Sequence, residues 1–545
     1  MKDCKQCQSS FKITDEDLRF YKKLDVPDPT CCPSCRQQRR LAWRNEATVY
    51  KRNCDKTGES IFSIYPKDSP FPVYSPISWF GDDWDPTDYS QEYDFNRPFF
   101  EQFTELQNKV PRISNIQDST ENCDYCNIIA DCKNCYLIYG CVDNEDCMYG
   151  SPYYSKNCID SLMLKKGQWC YECIDSNDLY ECQYSQNCKN SQGLQFCFDL
   201  EGCKNCFLCA GLRQKEYYIL NKECSERDYF KKVDELKQKG SKQLMKELQS
   251  LKKNMPVKFM NGFNNENVTG NHVYNSKNTH NAFYTDDCED VCYVNQLSNN
   301  NNCMDCDVGE YSEFIYENSG FYKTSNLKFC HWCWEVSDLF YCSTCTMNTT
   351  NCFGCISLKH KKYCILNKQY TKEEYEEMLQ RIIEHIKSTG EYGQFFPIEC
   401  SPFAYNETIA QYYYPLDKDI AVKNGWRWKD DIDVQPNVSK VIPAQRLPND
   451  IKDIPDDILN WAIECDTTKR LFKINTQELQ FYRKFNLEVP RLHPSERHLK
   501  RNKLRNPMRL WDRKCDKCSF DIKTAYAPDR SEKVFCAECY LKEIY

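Results

Sequence analysis

Apolar positions along this chain follow two kinds of period. Phe99, Phe100, Phe103, Leu106 and Val110 recur at helical spacing, which predicts a helix over 98–110 that caps the block beginning at residue 119. Leu236, Leu244, Leu248 and Leu251 mark a charged amphipathic segment over 225–252, and Met378, Leu379, Ile382 and Ile383 mark another over 371–387. Thr14 is an N-cap for a short helix over 15–24, and a second helix is read from Arg36 to Tyr50. Residues 119–222 show a different pattern. Short motifs of one kind recur there, such as Asn122-Cys-Asp-Tyr-Cys126 and Gly202-Cys-Lys-Asn-Cys-Phe207, with Cys at nine-residue steps at 123, 132 and 141 and again at 188, 197 and 206.

Self-similarity at short period predicts stacked units, each covering its neighbour's apolar face. Asn and Asp at corners, with small apolar residues between them, predict a parallel β-solenoid. A second block over 271–368 repeats the theme, and 205–222 falls on 351–368 at a constant shift of 146. The amphipathic segments after the two blocks are expected to be helices closing the solenoid ends, where a last rung would otherwise be an unpaired edge. Residues 395–430 are dense in aromatics and are read as packing on the solenoid, with a helix starting at Asn406 to Thr408. Residues 430–460, acidic at Asp430-Asp431-Ile-Asp433 and proline-rich, read as a linker.

The two ends of the chain are related. Residues 4–79 slide onto 465–540 without a gap, so that Phe11-Lys12-Ile13 meets Phe472-Lys473-Ile474 and Cys54-Asp55-Lys56 meets Cys515-Asp516-Lys517. The repeated unit carries two sets of four thiols, and each copy keeps a different one. Cys4, Cys7, Cys32 and Cys35 survive in the first copy, where the last copy has Cys465, Thr468, His493 and Glu496. Cys515, Cys518, Cys536 and Cys539 survive in the last copy, where the first has Cys54, Thr57, Ser75 and Ser78. Paired Cys-x-x-Cys turns present four thiolates to one tetrahedral zinc, and no ligand position is left open for catalysis. Two structural Zn(2+) ions are therefore expected, in zinc-ribbon or treble-clef-like units. The expected architecture is mixed but mainly β: two Cys-rich parallel β-solenoid blocks with capping helices, flanked by duplicated zinc units. Its divisions are 1–85, 86–118, 119–255, 256–395, 396–460 and 461–545.

Composition narrows the setting. The 39 Cys among 545 residues come with no apolar leader and no apolar run of membrane-spanning length, so the thiols are read as reduced, the protein as cytoplasmic and no membrane as a partner. For the solenoid Cys three readings stay open: buried packing ladders, further zinc or iron–sulfur ligands, and disulfides. A net charge of -8 confines any nucleic-acid contact to a local patch. Such a patch is offered by Arg36, Arg39, Arg40 and Arg44 in the first copy and by Arg497, Lys500, Arg501, Lys503, Arg505 and Arg509 in the last. The competing reading is a charged face that offsets the thiolates.

Phosphate-binding loops, nucleophile elbows and His-Glu-x-x-His helices are absent from the sequence. Phe329-Cys-His-Trp-Cys-Trp334 is an unusual cluster whose single His reads as a packed residue. The paired finger units, the Thr30-Cys-Cys-Pro-Ser-Cys-Arg-Gln-Gln-Arg-Arg-Leu41 segment and the Cys-Asn-aromatic repeats together resemble a group of uncharacterised bacterial zinc-ribbon proteins from environmental lineages. The resemblance covers nearly the whole chain. It implies zinc and a cytoplasmic setting and carries no activity. The expected function is a non-enzymatic zinc-binding scaffold whose basic helices contact nucleic acid or a nucleoprotein. The alternatives are a scaffold for protein partners alone, working through the solenoid face, and an enzyme with a site on that face.

Overall fold

The computed structural model describes residues 1–289, 295–298, 306–310, 317–321, 324–325, 331–333, 336–430 and 436–544. It is mixed α/β, and two long ladders of short strands dominate it. In the first, strands from Gln117–Asp118 to Glu216–Ile219 lie side by side in parallel, and Lys222–Glu223 closes the sheet antiparallel. Gln117 pairs with Ile129, Tyr136 with Met148, Leu162 with Ile174 and Lys204 with Glu216, each twelve residues on. Ser151 pairs with Leu162, one residue short, at a bulge.

Backbone geometry explains the motifs. Asn122, Tyr125, Ile128, Asp131, Asn134 and Leu137 all have φ between 51° and 55°, so every third residue takes the left-handed conformation. Asn and Asp tolerate that region best among L-residues, hence their recurrence. The residue after each one is buried: Cys123, Cys126, Ile129, Cys132, Cys135 and Ile138. The chain therefore advances in triplets, four to each twelve-residue step. The nine-residue Cys spacing is three triplets along the chain, and residues stack at twelve.

Small donors suit such an interior. Cys173 Sγ donates to the carbonyls of Tyr171 and Cys182, and Ser176 Oγ, at an equivalent position, donates to that of Ile174. The Cys188 N–H returns a bond to Ser176 Oγ at 3.1 Å. Burial pushes the Cys182 and Cys197 thiols well above the usual range, as expected of neutral packing groups.

The second ladder is made of two sheets among the described residues: one from Gly262–Phe263, Gly270–Tyr274 and Ala282–Asp286 to His331–Cys333, and one from Thr324–Ser325 to Lys362–Ile365, with Lys368–Gln369 antiparallel at its end. Gly270 pairs with Ala282 and Thr350 with Lys362, again twelve apart. Of the 329–334 cluster, Phe329, Cys330 and Trp334 lie outside the described residues; His331 is buried, with its ring 5.0 Å from that of Trp43.

Helices cover both ladder ends. Tyr229 and Val233 of Glu226–Lys237 join Phe207 and Ile219 in one apolar cluster. Tyr375, Ile382 and Ile386 of Lys372–Ser388, capped by Thr371 and Glu374, do the same with Phe353 and Ile365. The helix expected across 225–252 is two helices, Glu226–Lys237 and Ser241–Asn254, broken at Gly240, whose φ of 76° no helix interior accepts. Helix Phe99–Gln107 forms as expected but covers the second ladder rather than the first, with Phe99 4.9 Å from Phe353.

The terminal units superpose in sequence and structure. Helices Asp15–Lys23 and Thr476–Lys484 correspond at an offset of 461, as do Pro33–Leu41 and Pro494–Lys503 and strands Tyr50–Asn53 and Trp511–Lys514. The second helix of the first unit ends at Leu41, nine residues before the expected Tyr50, because Tyr50 begins the strand that pairs with Ser60–Ser63. The helix expected at Asn406 is a 3-10 turn, Tyr405–Glu407, with the short helix Ala410–Tyr413 after it. The stretch read as a linker is packed: Ala444, Leu447, Ile451, Ile454 and Ile458 are buried, and Lys440–Pro443 pairs with Trp461–Glu464. Its acidic opening, 431–435, lies outside the described residues.

Candidate metal centres and the arginines beside them

Each thiol quartet grows from a tight turn whose geometry recurs four times. In the first, Cys4 N–H donates to Ser9 O, Lys5 N–H to Thr30 O, and Gln8 N–H back to Cys4 O, with Gln8 at φ 59°. The same three bonds appear from Cys54, Asp55 and Gly58, from Cys465, Asp466 and Lys469, and from Cys515, Asp516 and Ser519. The second pair of thiols opens a helix. Cys32 is the N-cap of Pro33–Leu41 with Cys35 in its first turn, and Cys536 precedes Ala537–Ile544. Helix N-termini offer unpaired N–H groups and positive dipole ends to thiolates.

The four sulfurs of Cys4, Cys7, Cys32 and Cys35 lie within 4.8 Å of one another, and so do those of Cys515, Cys518, Cys536 and Cys539. Cys7 and Cys32 are 3.8 Å apart, as are Cys518 and Cys536. Four sulfurs at about 2.3 Å from a tetrahedral ion stand about 3.8 Å from each other, so both quartets have spacing that could hold a metal ion. No other cluster of three or more potential ligands gathers this way among the described residues, the ladder thiols included.

The local field favours a thiolate at Cys4, Cys32 and Cys515. The Cys32 N–H donates to Cys4 Sγ at 3.2 Å, and the Cys536 N–H to Cys515 Sγ at 3.3 Å. A hydrogen bond from Cys35 brings the Cys32 thiol down to about 5 and leaves Cys35 raised. Burial raises Cys515, but the N–H groups of Cys536, Cys518 and Lys517 outweigh it and bring the thiol to about 6. Thiolate is the ligating form.

The matching turns at Cys54 and Cys465 keep the backbone pattern without four thiols. Cys54 Sγ still accepts the Ser75 N–H and Cys465 Sγ the His493 N–H, both at 3.3 Å. Ser75 and Ser78 join their hydroxyls at 3.1 Å, and His493 Nδ1 turns to Ser495 Oγ at 2.6 Å. Hydrogen bonds between side chains join the positions that correspond to the second thiol pair.

Seven of the ten cations expected to grip phosphate are buried inside the molecule. Arg497 and Arg501 both donate to Asp160, a carboxylate with no exposed surface, and Arg501 reaches the Tyr149 carbonyl at 2.9 Å. Arg505 Nε bonds Asp175 at 3.1 Å. Arg39 makes a forked bond to Glu317 at 2.7 and 2.8 Å, Arg36 donates to the Cys31 carbonyl, and Arg44 pairs with Glu46. Arg40 is buried as well. A buried charge requires a partner of opposite sign, and the ladders supply it for Arg39, Arg497, Arg501 and Arg505. Lys500, Lys503 and Arg509 remain exposed.

The receiving carboxylates went unrecognised in the sequence although a signal existed. Asp160 and Asp175 occupy left-handed corner positions, with φ 54° and 49°, and such corners put the side chain outside the ladder. No helix of the described residues is long and apolar enough to cross a membrane. Comparison with known proteins finds no matching family model and no matching curated protein.

Proposed function

We propose that this protein is a non-enzymatic scaffold in which two structural zinc ions, one in each terminal unit, fasten a pair of parallel β-solenoid blocks. The observation that carries this reading is the direction of the basic helix Pro494–Lys503. It points Arg497 and Arg501 at Asp160 on the first ladder, so the zinc unit works inward as a clamp. The four-thiol sets support zinc as the ion, because their spacing matches a tetrahedral site with no vacant position. The twelve-residue parallel register supports the solenoid reading, whose outer faces are the broad surfaces left for protein partners.

The test is chelation and then hydrogen exchange. Removing metal is expected to release protection first in 1–80 and 461–544, then at the ladder surface around 149–175. Unchanged protection in the terminal units would overturn the reading.

A second reading keeps nucleic acid as a partner through Lys500, Lys503 and Arg509, the exposed remainder of the basic set. Three phosphate contacts give a shallow salt dependence, with a slope of about -3 in log–log form. Filter binding with the triple alanine variant decides it: loss of binding supports this reading, and no binding by the parent chain removes it.

A further inference from the structure

The last unit touches both ladders, and it does so on either side of one thiol pair. Just before Cys536, the Lys533 carbonyl accepts the Val257 N–H at 2.8 Å and the Phe535 carbonyl accepts the Phe259 N–H at 2.9 Å. These bonds hold Val257–Lys258, the strand that leads into the second ladder. Just after Cys539, Tyr540 donates its hydroxyl proton to Asp199 and accepts a bond from Arg213 at 2.9 Å, both on late rungs of the first ladder.

The first unit makes the same strand junction with different chemistry. There the Pro72 carbonyl accepts the Arg112 N–H and the Tyr74 carbonyl accepts the Ser114 N–H, both at 2.9 Å, where the chain enters the first ladder. Pro72 and Tyr74 match Lys533 and Phe535 under the 461-residue offset, and Ser75 and Ser78 stand where the last unit has Cys536 and Cys539. One of two equivalent junctions is thus built on a four-thiol centre, and the other is not.

The centre at this junction is also the more open of the two. Cys515 is buried, but Cys518 is exposed and Cys536 and Cys539 are half-buried. In the first unit Cys7 is exposed, with Cys4, Cys32 and Cys35 all buried. A small oxidant therefore meets three sulfurs at the last centre and one at the first, and access governs which thiolates react. Cys518 and Cys536 stand 3.8 Å apart, so the second can resolve oxidation of the first. Cys7 and Cys32 share that spacing, but Cys32 is packed against Phe11 and Cys31.

We propose that the C-terminal centre is an oxidant-sensitive latch on the junction between the ladders, an inference that rests on the metal-clamp reading above. Its co-reactant is a hydroperoxide. The Cys518 thiolate attacks the O–O bond and keeps one oxygen as a sulfenic acid, while the other leaves as hydroxide. The Cys536 thiolate then displaces hydroxide from that sulfur. Two thiolates, one hydrogen peroxide and two protons become one disulfide and two waters. Two thiolates then remain to hold metal, and Phe535 and Tyr540, flanking the altered pair, let go of the ladders. The junction at Val73–Tyr74 stays closed.

Titrating the full-length, zinc-loaded chain with hydrogen peroxide tests this, with released zinc, disulfides by peptide mass spectrometry and amide exchange followed together. The first zinc to leave is expected to accompany a Cys518–Cys536 disulfide and a rise in exchange of at least about tenfold at Val257 and Phe259, with Arg112 and Ser114 still protected. A thiol reductant with added zinc should restore protection. Both ions leaving together, a first disulfide elsewhere, or an equal rise at the two junctions would each overturn the proposal. A chain that holds no zinc before oxidant removes the latch and the clamp together, whereas two ions at the start and any of those three results remove the latch alone.

Discussion

The sulfur of Cys465 accepts the backbone N–H of His493 at 3.3 Å, the bond that Cys4 Sγ makes with the Cys32 N–H in the matching turn at 3.2 Å. One of these turns belongs to a complete thiol quartet and the other does not, yet their backbones agree. The backbone of this turn therefore does not depend on a complete set of four thiols.

That relationship predicts that the lost site can be rebuilt. Thr468→Cys, His493→Cys and Glu496→Cys together place four thiols around a turn already in position. Metal analysis of the triple variant is expected to show one more zinc per chain than the parent. An unchanged count would mean that the second pair has drifted from ligating geometry.

Asp160 holds two buried arginines, so its loss should cost far more than that of a surface charge. Asp160→Asn leaves Arg497 and Arg501 only their longer contacts to Glu478 at 3.7 Å and Glu172 at 3.5 Å, and breaking a buried pair from one side costs about 3–5 kcal/mol. Lys500→Ala, on the exposed side of the same helix, should stay within about 0.5 kcal/mol. Denaturant midpoints of the two variants compare them directly. Equal effects would contradict the inward clamp.

Acid should loosen the chain through its buried histidines. Burial, with Asp175 opposing it, brings His272 from its ordinary 6.5 to about 4, and burial likewise holds His331 and His498 well down. In the window from 6.5 to 4 the unfolded chain takes up protons that the folded chain refuses, so stability is full above 6.5 and falls as the pH drops. His272 alone contributes on the order of 3 kcal/mol across that window. Urea midpoints measured from pH 7 to pH 5 should decline, and His272→Gln should flatten part of the slope.

Within the ladders the thiols are packing groups, and substitution should show it. Leu179→Ala opens a cavity in a fully packed interior and should cost about 2–5 kcal/mol. Cys182→Ser keeps a donor to the Tyr180 and Ser191 carbonyls, should cost less, and should leave the metal content unchanged. A drop in bound metal in this variant would make the ladder thiols ligands.

The parts legible in the sequence were those with a local cause. Thr14 announces a helix start because a cap needs only neighbours, and the Cys-x-x-Cys turns announce quartets because one turn presents two sulfurs. The triplet advance was hidden because Cys, Ser, Leu and Ile alternate at the inner position, and three triplets imitate a nine-residue repeat. The destination of the arginines was not legible at all: Arg497 and Asp160 are separated by more than three hundred residues, and a basic helix reads the same whether it faces solvent or a carboxylate. The residues around Ile451 and Ile458 read as a linker because prolines and acids outnumber the apolar side chains that dock them.

The most direct test of the account is metal stoichiometry with ligand identity on the purified chain. The account predicts two zinc ions, each with four sulfur neighbours at about 2.3 Å by X-ray absorption, falling to one ion in Cys7→Ser and to one in Cys518→Ser. A chain that carries no tightly held metal, or one whose count is unaffected by either substitution, would contradict it.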